Sequence, residues 1–342
     1  MDLAGYEVGE TLHESRLRSI HRAVRTSDGA PVILKTLISA YPSRREIAEL
    51  RREYQITRRL QRVSRVIEVH DLVAWGDGNL AIVMEPFGVS LAELLEQRER
   101  APLPLHRFLP IAIRIARTLG AVHQQHVVHK DLVPRNILLD PADDDIRLID
   151  FGISSELSQE RQDGDLSRRL EGSLPYISPE QTGRMNRDLD YRSDYYSLGV
   201  TFFELLTGRL PFYADTVLEW VHSHMGKRPP SPSDLDPDVP LAVSRLVLKL
   251  MSKNAEDRYQ STFGLIADLE RIQAELDDTG FVQPFVLGER DVSQTFGIPQ
   301  KLYGREDELR ELLAVFEGVV EGDAELCLVS GYSGVGKSAL VN

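Results

Sequence analysis

The segment His129 to Asn136 reads H-K-D-L-V-P-R-N, and Asp150-Phe151-Gly152 follows fourteen residues after its asparagine. A carboxylate, an amide and a second carboxylate in this order can gather two magnesium ions, the phosphates of a nucleotide and an acceptor hydroxyl, the requirements of phosphoryl transfer. Positioning and charge neutralisation supply most of that catalysis. Asp131 is expected to orient the attacking hydroxyl, and Asn136 and Asp150 to bind metal.

These groups need a scaffold that brings distant segments together. Upstream, Val32-Ile33-Leu34-Lys35 ends a β-rich run with a lysine that could reach the α and β phosphates. Glu53 lies eighteen residues further on, in the charged helical segment Glu46 to Leu60, where the apolar Ile56 and Leu60 place it on the inward face. Leu80 to Met84 is a second apolar strand, so residues 1–85 read as a small, mostly β lobe. Beyond Glu85 the pattern becomes helical, with Ile111, Ile115, Leu119 and Val122 on one face. Ser193-Asp194 is expected to cap an almost wholly apolar helix, Tyr195 to Leu206, which Thr207-Gly208 and Pro211 end. Such a helix belongs at the centre of a larger lobe, residues 86–272. Pro229 to Pro240, with five prolines, reads as a surface loop. Residues 273–300, rich in Gly, Pro and Gln from Thr279 to Pro299, read as a linker.

Composition narrows the partners. The 342 residues are 42% hydrophobic and 27% charged, as in ordinary folded domains, and can bury a substantial core. A formal charge of −13, with no long basic run, argues against nucleic acid. The single cysteine, Cys327, excludes an intramolecular disulfide and a cysteine zinc site, and its apolar neighbours suggest core packing. The start, M-D-L-A-G-Y-E-V, has no basic region followed by an apolar stretch, and no apolar run reaches membrane-spanning length, so the chain reads as cytoplasmic. Asp143-Asp144-Asp145 is expected to be a solvated hairpin turn, and His123 with His126 a helix end.

A second phosphate-binding signal closes the sequence. Gly331 to Ser338, G-Y-S-G-V-G-K-S, fits G-x-x-x-x-G-K-[ST] and follows an expected strand, Leu326 to Val329. The backbone around Gly331, Gly334 and Gly336 would surround phosphates, Lys337 would reach the β and γ oxygens, and Ser338 would ligate magnesium. Arg305 to Phe316 reads as a helix of the same domain. Only four residues follow Ser338, so residues 301–342 read as an unfinished α/β P-loop unit without competent ATPase activity.

Taken together, residues from about 6 to 272 resemble a eukaryotic-type serine/threonine protein kinase domain. The resemblance implies an α+β, bilobal fold followed by the start of a P-loop NTPase domain, with ATP and Mg2+ as cofactors. It pairs Lys35 with Glu53 and makes both, with Asp131, catalytic. It places the nucleotide at Lys35, Glu85, Phe87 and Leu138, Phe87 offering backbone groups to adenine. Ser178-Pro179-Glu180 resembles the family's A-P-E element, whose glutamate pairs with a late arginine, here Arg258. Asp194 resembles the aspartate that braces the catalytic loop, and Ser173 the threonine that bonds the catalytic aspartate. I-S-P-E-Q-T-G-R-M-N, N-A-E-D-R-Y-Q-S, I-P-Q-K-L-Y-G-R-E and the P-loop are similar to one bacterial family of trifunctional serine/threonine kinase, ATP-binding protein and sensor histidine kinase. That similarity implies attached ATPase, sensor and histidine-kinase domains as partners, besides a protein substrate that the sequence does not name.

The pattern departs from the family in three places. The first hairpin has His13, Ser15 and Arg18 where G-x-G-x-x-G glycines are usual, which restricts backbone approach to phosphate, while Arg16 or Arg18 could contact it instead. Lys130 replaces an arginine, which weakens the case for control by activation-segment phosphorylation. Val133 replaces a lysine near the γ phosphate. The leading expectation is ATP-dependent phosphorylation of protein serine or threonine. The alternative is a pseudokinase-like nucleotide-binding module that regulates attached ATPase and histidine-kinase domains. A small-molecule phosphotransferase is disfavoured by Glu180 and Arg258.

Overall fold

The computed structural model describes residues 3–15, 17–39, 41–76, 78–156, 172–184, 189–292, 311, 315 and 326–330. The small lobe contains β1 (Tyr6–Glu14), β2 (Arg18–Arg25), β3 (Pro31–Leu37), α1 (Arg44–Arg59), β4 (Val69–Trp75) and β5 (Asn79–Met84). Its five strands form one antiparallel sheet in the order β1-β2-β3-β5-β4. Alternation along β3 and β5 buries Val32 and Leu34 with Ala81 and Val83 on one face, and Leu80 and Ile82 with Leu50 of α1 on the other. A capping box fixes the start of α1: the Ser43 side chain accepts from the Glu46 amide, and the Glu46 carboxylate accepts from the Ser43 amide.

A short linking segment leads through β6 (Val89–Ser90) into the large lobe. Gly88 in this segment has φ +35°, and a Cβ there would collide with the carbonyl of Leu139, so the close crossing requires glycine. The lobe continues with α2 (Leu91–Gln97), α3 (Leu105–Gln124), β7 (Val127–Val128), β8 (Ile137–Leu139), β9 (Ile146–Leu148) and β10 (Ser155–Glu156). It ends with α4 (Arg192–Thr207), α5 (Val217–Gly226), α6 (Pro232–Leu235), α7 (Leu241–Leu250) and α8 (Thr262–Thr279). The stripe Ile111, Ile115, Leu119 and Val122 of α3 is fully buried, and every residue of α4 from Ser193 to Thr207 is buried. A helix apolar all round can satisfy its side chains only in the middle of other elements, and α4 packs against α3 and α7. The same core takes in Ile56 and Leu60 from the end of α1, which joins the two lobes beneath the cleft.

Four expectations change. Ser193 and Asp194 do not cap α4; they sit inside its first turn, where both side chains serve other partners. Residues 273–292 are structured instead of forming a linker throughout: α8 runs to Thr279, Val282 is buried, and Phe285 and Leu287 pack on the large core. Asp291 ties this tail down by accepting from the Gln260 amide at 2.6 Å and the Ser261 hydroxyl at 2.7 Å. Leu326 to Val329 is not a strand, and Leu326, Cys327 and Leu328 are exposed. No strand among the described residues pairs with this segment, and an extended run gains neither ladder bonds nor core without one. Gly331 to Ser338 and most of Arg305 to Phe316 lie outside the described residues. Finally, the aspartate turn between β8 and β9 is not merely solvated: Asp144 pairs with Arg107 at 2.8 Å, and Asp145 pairs with Arg65 at 2.6 Å and Arg147 at 2.7 Å.

Candidate active site

The cleft between the lobes brings the distant candidates together. Lys35, near the end of β3, donates to Glu53 of α1 at 2.5 Å and to Asp150 at 2.8 Å. The inward position of Glu53 follows from Ile56 and Leu60 on the same helical face, both locked in the core. Asp150 has φ +63°, a left-handed conformation held by its neighbours: Phe151 is fully buried with its ring 4.8 Å from His129, and the His129 ring meets the Ile149 carbonyl at 3.0 Å. Burial pushes the Asp150 carboxyl up, but Lys35 and Arg18 beside it prevail and hold it well below the usual carboxylate range. Glu53 goes the other way, because complete burial and the nearby Asp150 outweigh its two cations.

Arg18 completes this cluster. Its guanidinium donates to Glu53 at 2.6 Å and lies 3.3 Å from Asp150. The first hairpin forms without its glycines because Ser15 closes the turn: its amide and hydroxyl donate to the Arg18 carbonyl at 2.9 and 3.0 Å, and its hydroxyl oxygen accepts from the Arg18 amide at 3.1 Å. Sequence reasoning named Arg18 only as a possible phosphate contact. Its ion pairs across 35 and 132 residues left no local signal.

The catalytic loop is held from below. Asp194, fully buried in α4, accepts from the backbone amides of His129 at 2.8 Å and Lys130 at 2.7 Å. His123 Nε2 meets the same carboxylate at 2.8 Å, so this helix-end histidine has a structural duty that the sequence reading missed. Burial raises the Asp194 carboxyl, and these bonds to His123 and the loop overcome it and leave it low. Asn136 donates to the Asp131 carbonyl at 2.8 Å and to its carboxylate at 2.9 Å, which turns its amide oxygen away from Asp131. The Asn136 carbonyl accepts from the Ile149 amide at 3.0 Å, placing the segment that leaves β9 and carries Asp150 directly beside this loop.

Asp131 is further bracketed from the acceptor side. Its Oδ1 accepts from the Ser173 amide at 2.8 Å and the Ser173 hydroxyl at 2.6 Å. Arg135, in the short 3-10 turn Pro134–Asn136 that follows Asp131, reaches Asp131 Oδ2 at 3.3 Å and the Ser173 hydroxyl at 2.5 Å. Sequence reasoning did not name Arg135: the segment is not α-helical, so its four-residue spacing from Asp131 carried no helical pairing signal. Glu180 and Arg258 form a buried two-pronged pair at 2.6 and 2.9 Å, and Ser193 donates to Glu180 at 2.8 Å. On the opposite wall the Glu85 carboxylate accepts from the Glu68 amide at 2.9 Å and from Arg147 at 3.3 Å. Arg147 also stacks over the Phe87 ring at 4.2 Å, and Leu138 of β8 is half-buried nearby in register with Arg147.

This geometry agrees with the comparison to known families. A protein kinase domain model matches residues 6–265. The chain belongs to the protein kinase family. Curated relatives include the serine/threonine-protein kinase pkn3 of Myxococcus xanthus, 32% identical over 79% of this chain and 50% of that protein. The serine/threonine-protein kinase PknB of Mycolicibacterium smegmatis is 31% identical over 78% of this chain and 43% of its own length. The hybrid signal transduction histidine kinase G of Dictyostelium discoideum is 32% identical over 73% of this chain but only 10% of its own length. The chain thus spans between a tenth and a half of these relatives. Residues 301–342 match an AAA ATPase domain model. Protein kinases act on ATP with a divalent metal, typically Mg2+, and the cleft suits both: Asp150 is ionised, and Asn136 offers a hard amide oxygen.

Proposed function

We propose that this kinase domain transfers the γ-phosphoryl group of ATP to serine or threonine hydroxyls of a protein. The observation that carries this reading is the continuity of the cleft: Lys35 joins Glu53 to Asp150, and the Ile149 amide beside Asp150 hydrogen-bonds the loop that presents Asp131. Lys35 would neutralise the α and β phosphates, with Glu53 fixing its ammonium. Asp150 and Asn136 would hold magnesium, which when bound spreads the charge of the transferred group. Asp131 would accept the hydrogen bond of the acceptor hydroxyl and take its proton as the new O–P bond forms and the bond from the γ phosphorus to the β–γ bridging oxygen breaks to release ADP, with Ser173 and Asn136 fixing the carboxylate. Glu85, Phe87 and Leu138 would line the adenine side, and Leu138 would supply the floor.

Radiolabelled transfer from magnesium-ATP to a protein substrate, followed by phosphoamino-acid analysis, tests the reading. Label on serine or threonine that disappears in Asp131→Asn and in Asp150→Asn is the expected result; label that persists unchanged in Asp131→Asn sinks it, and so does its absence from the unmodified protein.

Beyond this domain, we place the kinase unit before a P-loop ATPase domain, in which Gly331, Gly334, Gly336, Lys337 and Ser338 hold phosphate. The AAA ATPase match and the likeness to a hybrid histidine kinase support attached sensor and histidine-kinase domains as its partners, as in the trifunctional bacterial family. A cytoplasmic site of action accords with this arrangement. Among the described residues no helix is long and apolar enough to cross a membrane.

A further inference from the structure

A cavity of about 130 Å3 opens on the acceptor side of the catalytic loop, lined by Leu95 and Val133 below and by Arg100, Arg135, Tyr176 and Glu204 around its wall. It adjoins the reacting position directly, because Arg135 on its wall is the residue that touches both Asp131 and Ser173. Tyr176 lies three residues after Ser173, in the one-turn helix Leu174–Tyr176. A protein segment whose hydroxyl reaches Asp131 must therefore lay a neighbouring side chain over this cavity.

The charges select what that side chain can be. Glu204 is buried and already taken: Arg100 donates to its Oε1 at 3.1 Å and the Tyr176 hydroxyl to its Oε2 at 2.5 Å. A basic side chain would find no open carboxylate there. The two guanidinium groups are different. The Arg135 side chain is 60% exposed and that of Arg100 is 55% exposed, so positive charge faces the incoming segment. Each has one carboxylate partner, Glu204 for Arg100 and Asp131 for Arg135, but both carboxylates are almost wholly buried while both guanidiniums stay more than half exposed, and their remaining planar donors match an incoming carboxylate. The whole chain carries −13, so a general attraction for acidic proteins is ruled out and any preference must be local to one side-chain position.

We propose that this cavity is a specificity subsite for a carboxylate side chain close in sequence to the acceptor serine or threonine, with Arg135 as its principal determinant. The proposal rests on the kinase reading for its meaning as a substrate preference, but not for the binding itself. Peptides with one serine in a neutral background are prepared with Glu, Gln or Lys scanned through the three positions on either side. Non-phosphorylatable versions, with alanine for the serine, report Kd by fluorescence anisotropy without turnover, and the serine versions report KM and kcat. At one position Glu is expected to bind about 5–10-fold more tightly than Gln, the scale of one partly exposed ion pair, and Lys more weakly than either. Arg135→Glu should reverse the order of Glu and Lys. Arg100→Gln, which frees Glu204, should shrink the ratio of the Gln to Glu dissociation constants, and melting curves check that both variants are folded. A phosphoserine peptide at the same position is the contrasting arm: binding by phosphoserine with no gain from Glu overturns the carboxylate assignment in favour of a phosphate site. The proposal also fails if no position shows a preference, or if both variants leave the preference intact. Peptides that bind with the Glu preference but are never phosphorylated refute the kinase reading and leave the subsite standing; phosphorylation without positional preference does the reverse.

Discussion

The two walls of the cleft are fastened by different means. The nucleotide wall consists of Arg18, Lys35, Glu53 and Asp150, four charges from segments up to 132 residues apart that meet through four ion contacts of 2.5 to 3.3 Å. The catalytic floor is fixed by hydrogen bonds into a packed core: Asp194 holds two consecutive backbone amides, Asn136 and Ser173 hold Asp131, and Thr201 of α4 donates to the Leu132 carbonyl at 3.0 Å. Backbone bonds to a buried helix have two-sided constraints and little freedom, whereas the tip of the first hairpin meets the charge cluster through one arginine and can move with its charge partners. The floor should therefore behave as a rigid template and the nucleotide wall as an adjustable, salt-sensitive closure.

The largest test removes the reacting group while sparing the nucleotide wall. Asp131→Asn should lower kcat by about 10^2 to 10^4-fold, the span of general-base contributions, and leave nucleotide Kd near its original value. If nucleotide affinity falls in parallel, the two walls are coupled and the comparison breaks down.

Next in size is the buried pair beneath the floor. Arg258 is 1% exposed, and its guanidinium serves Glu180 along with the carbonyls of Ser252, Arg192 and Lys253. Arg258→Ala strands the Glu180 carboxylate and should cost about 3–5 kcal/mol, read as a lower urea midpoint at unchanged slope. Removing Glu180 and Arg258 together, with apolar residues of similar volume, should recover most of that loss. A double variant as unstable as the single one would show that the pair acts through the three backbone contacts and not through its charges.

The floor also has a weak point in acid. His224 of α5 is buried against Tyr196 of α4, whose hydroxyl lies 3.0 Å from its Nδ1, and stacks on Trp220 at 5.8 Å. Burial, assisted by Lys253, pushes its pKa down from 6.5 to about 4. The folded state thus keeps this ring neutral where the unfolded chain takes up a proton. Stability from this group is complete above about pH 6.5 and is lost as pH falls towards 4, reaching a deficit of about 3 kcal/mol. His224→Gln should flatten that part of the pH profile of urea stability. An unaltered acid slope in the variant would exclude His224 as the origin.

How much of this was legible in the sequence follows the same division. Lys35, Glu53, Asp131, Asn136 and Asp150 stood out because phosphate and metal chemistry restricts residue type as well as spacing, and apolar periodicity placed Glu53 inward before any coordinates. The central helix could be read from its uniformly apolar run. Its first turn was misjudged, because a Ser-Asp pair before such a run has the form of a cap, and only tertiary structure shows Asp194 bonded to a loop 64 and 65 residues away. His123, Arg18 and the Asp144 and Asp145 pairs escaped for the same reason: exposed-looking charged residues carry no periodicity that identifies a distant partner. The tail from 273 to 292 looked like linker because its Gly, Pro and Gln suppress helical pattern, yet Val282, Phe285 and Leu287 find the core one at a time.

The smallest effect probes the adjustable wall itself. Arg18 occupies the third position where the family usually has glycine, and its guanidinium lies beside Glu53 and Asp150, in the cluster we propose faces phosphate. We expect Arg18→Ala to weaken nucleotide binding by about tenfold, roughly 1.4 kcal/mol, because one charge-assisted contact is lost while Lys35 remains. Arg18→Gly should do no better, since Ser15 closes this turn and a single glycine does not rebuild a backbone phosphate cradle. Titrations at low and high salt sharpen the point: the loss should shrink as ionic strength rises, because a side chain one-fifth exposed is partly screened. Tighter nucleotide binding in Arg18→Ala would mean that the arginine blocks the site in competition with metal at Asp150, and the hairpin would then be a plug and not a clasp.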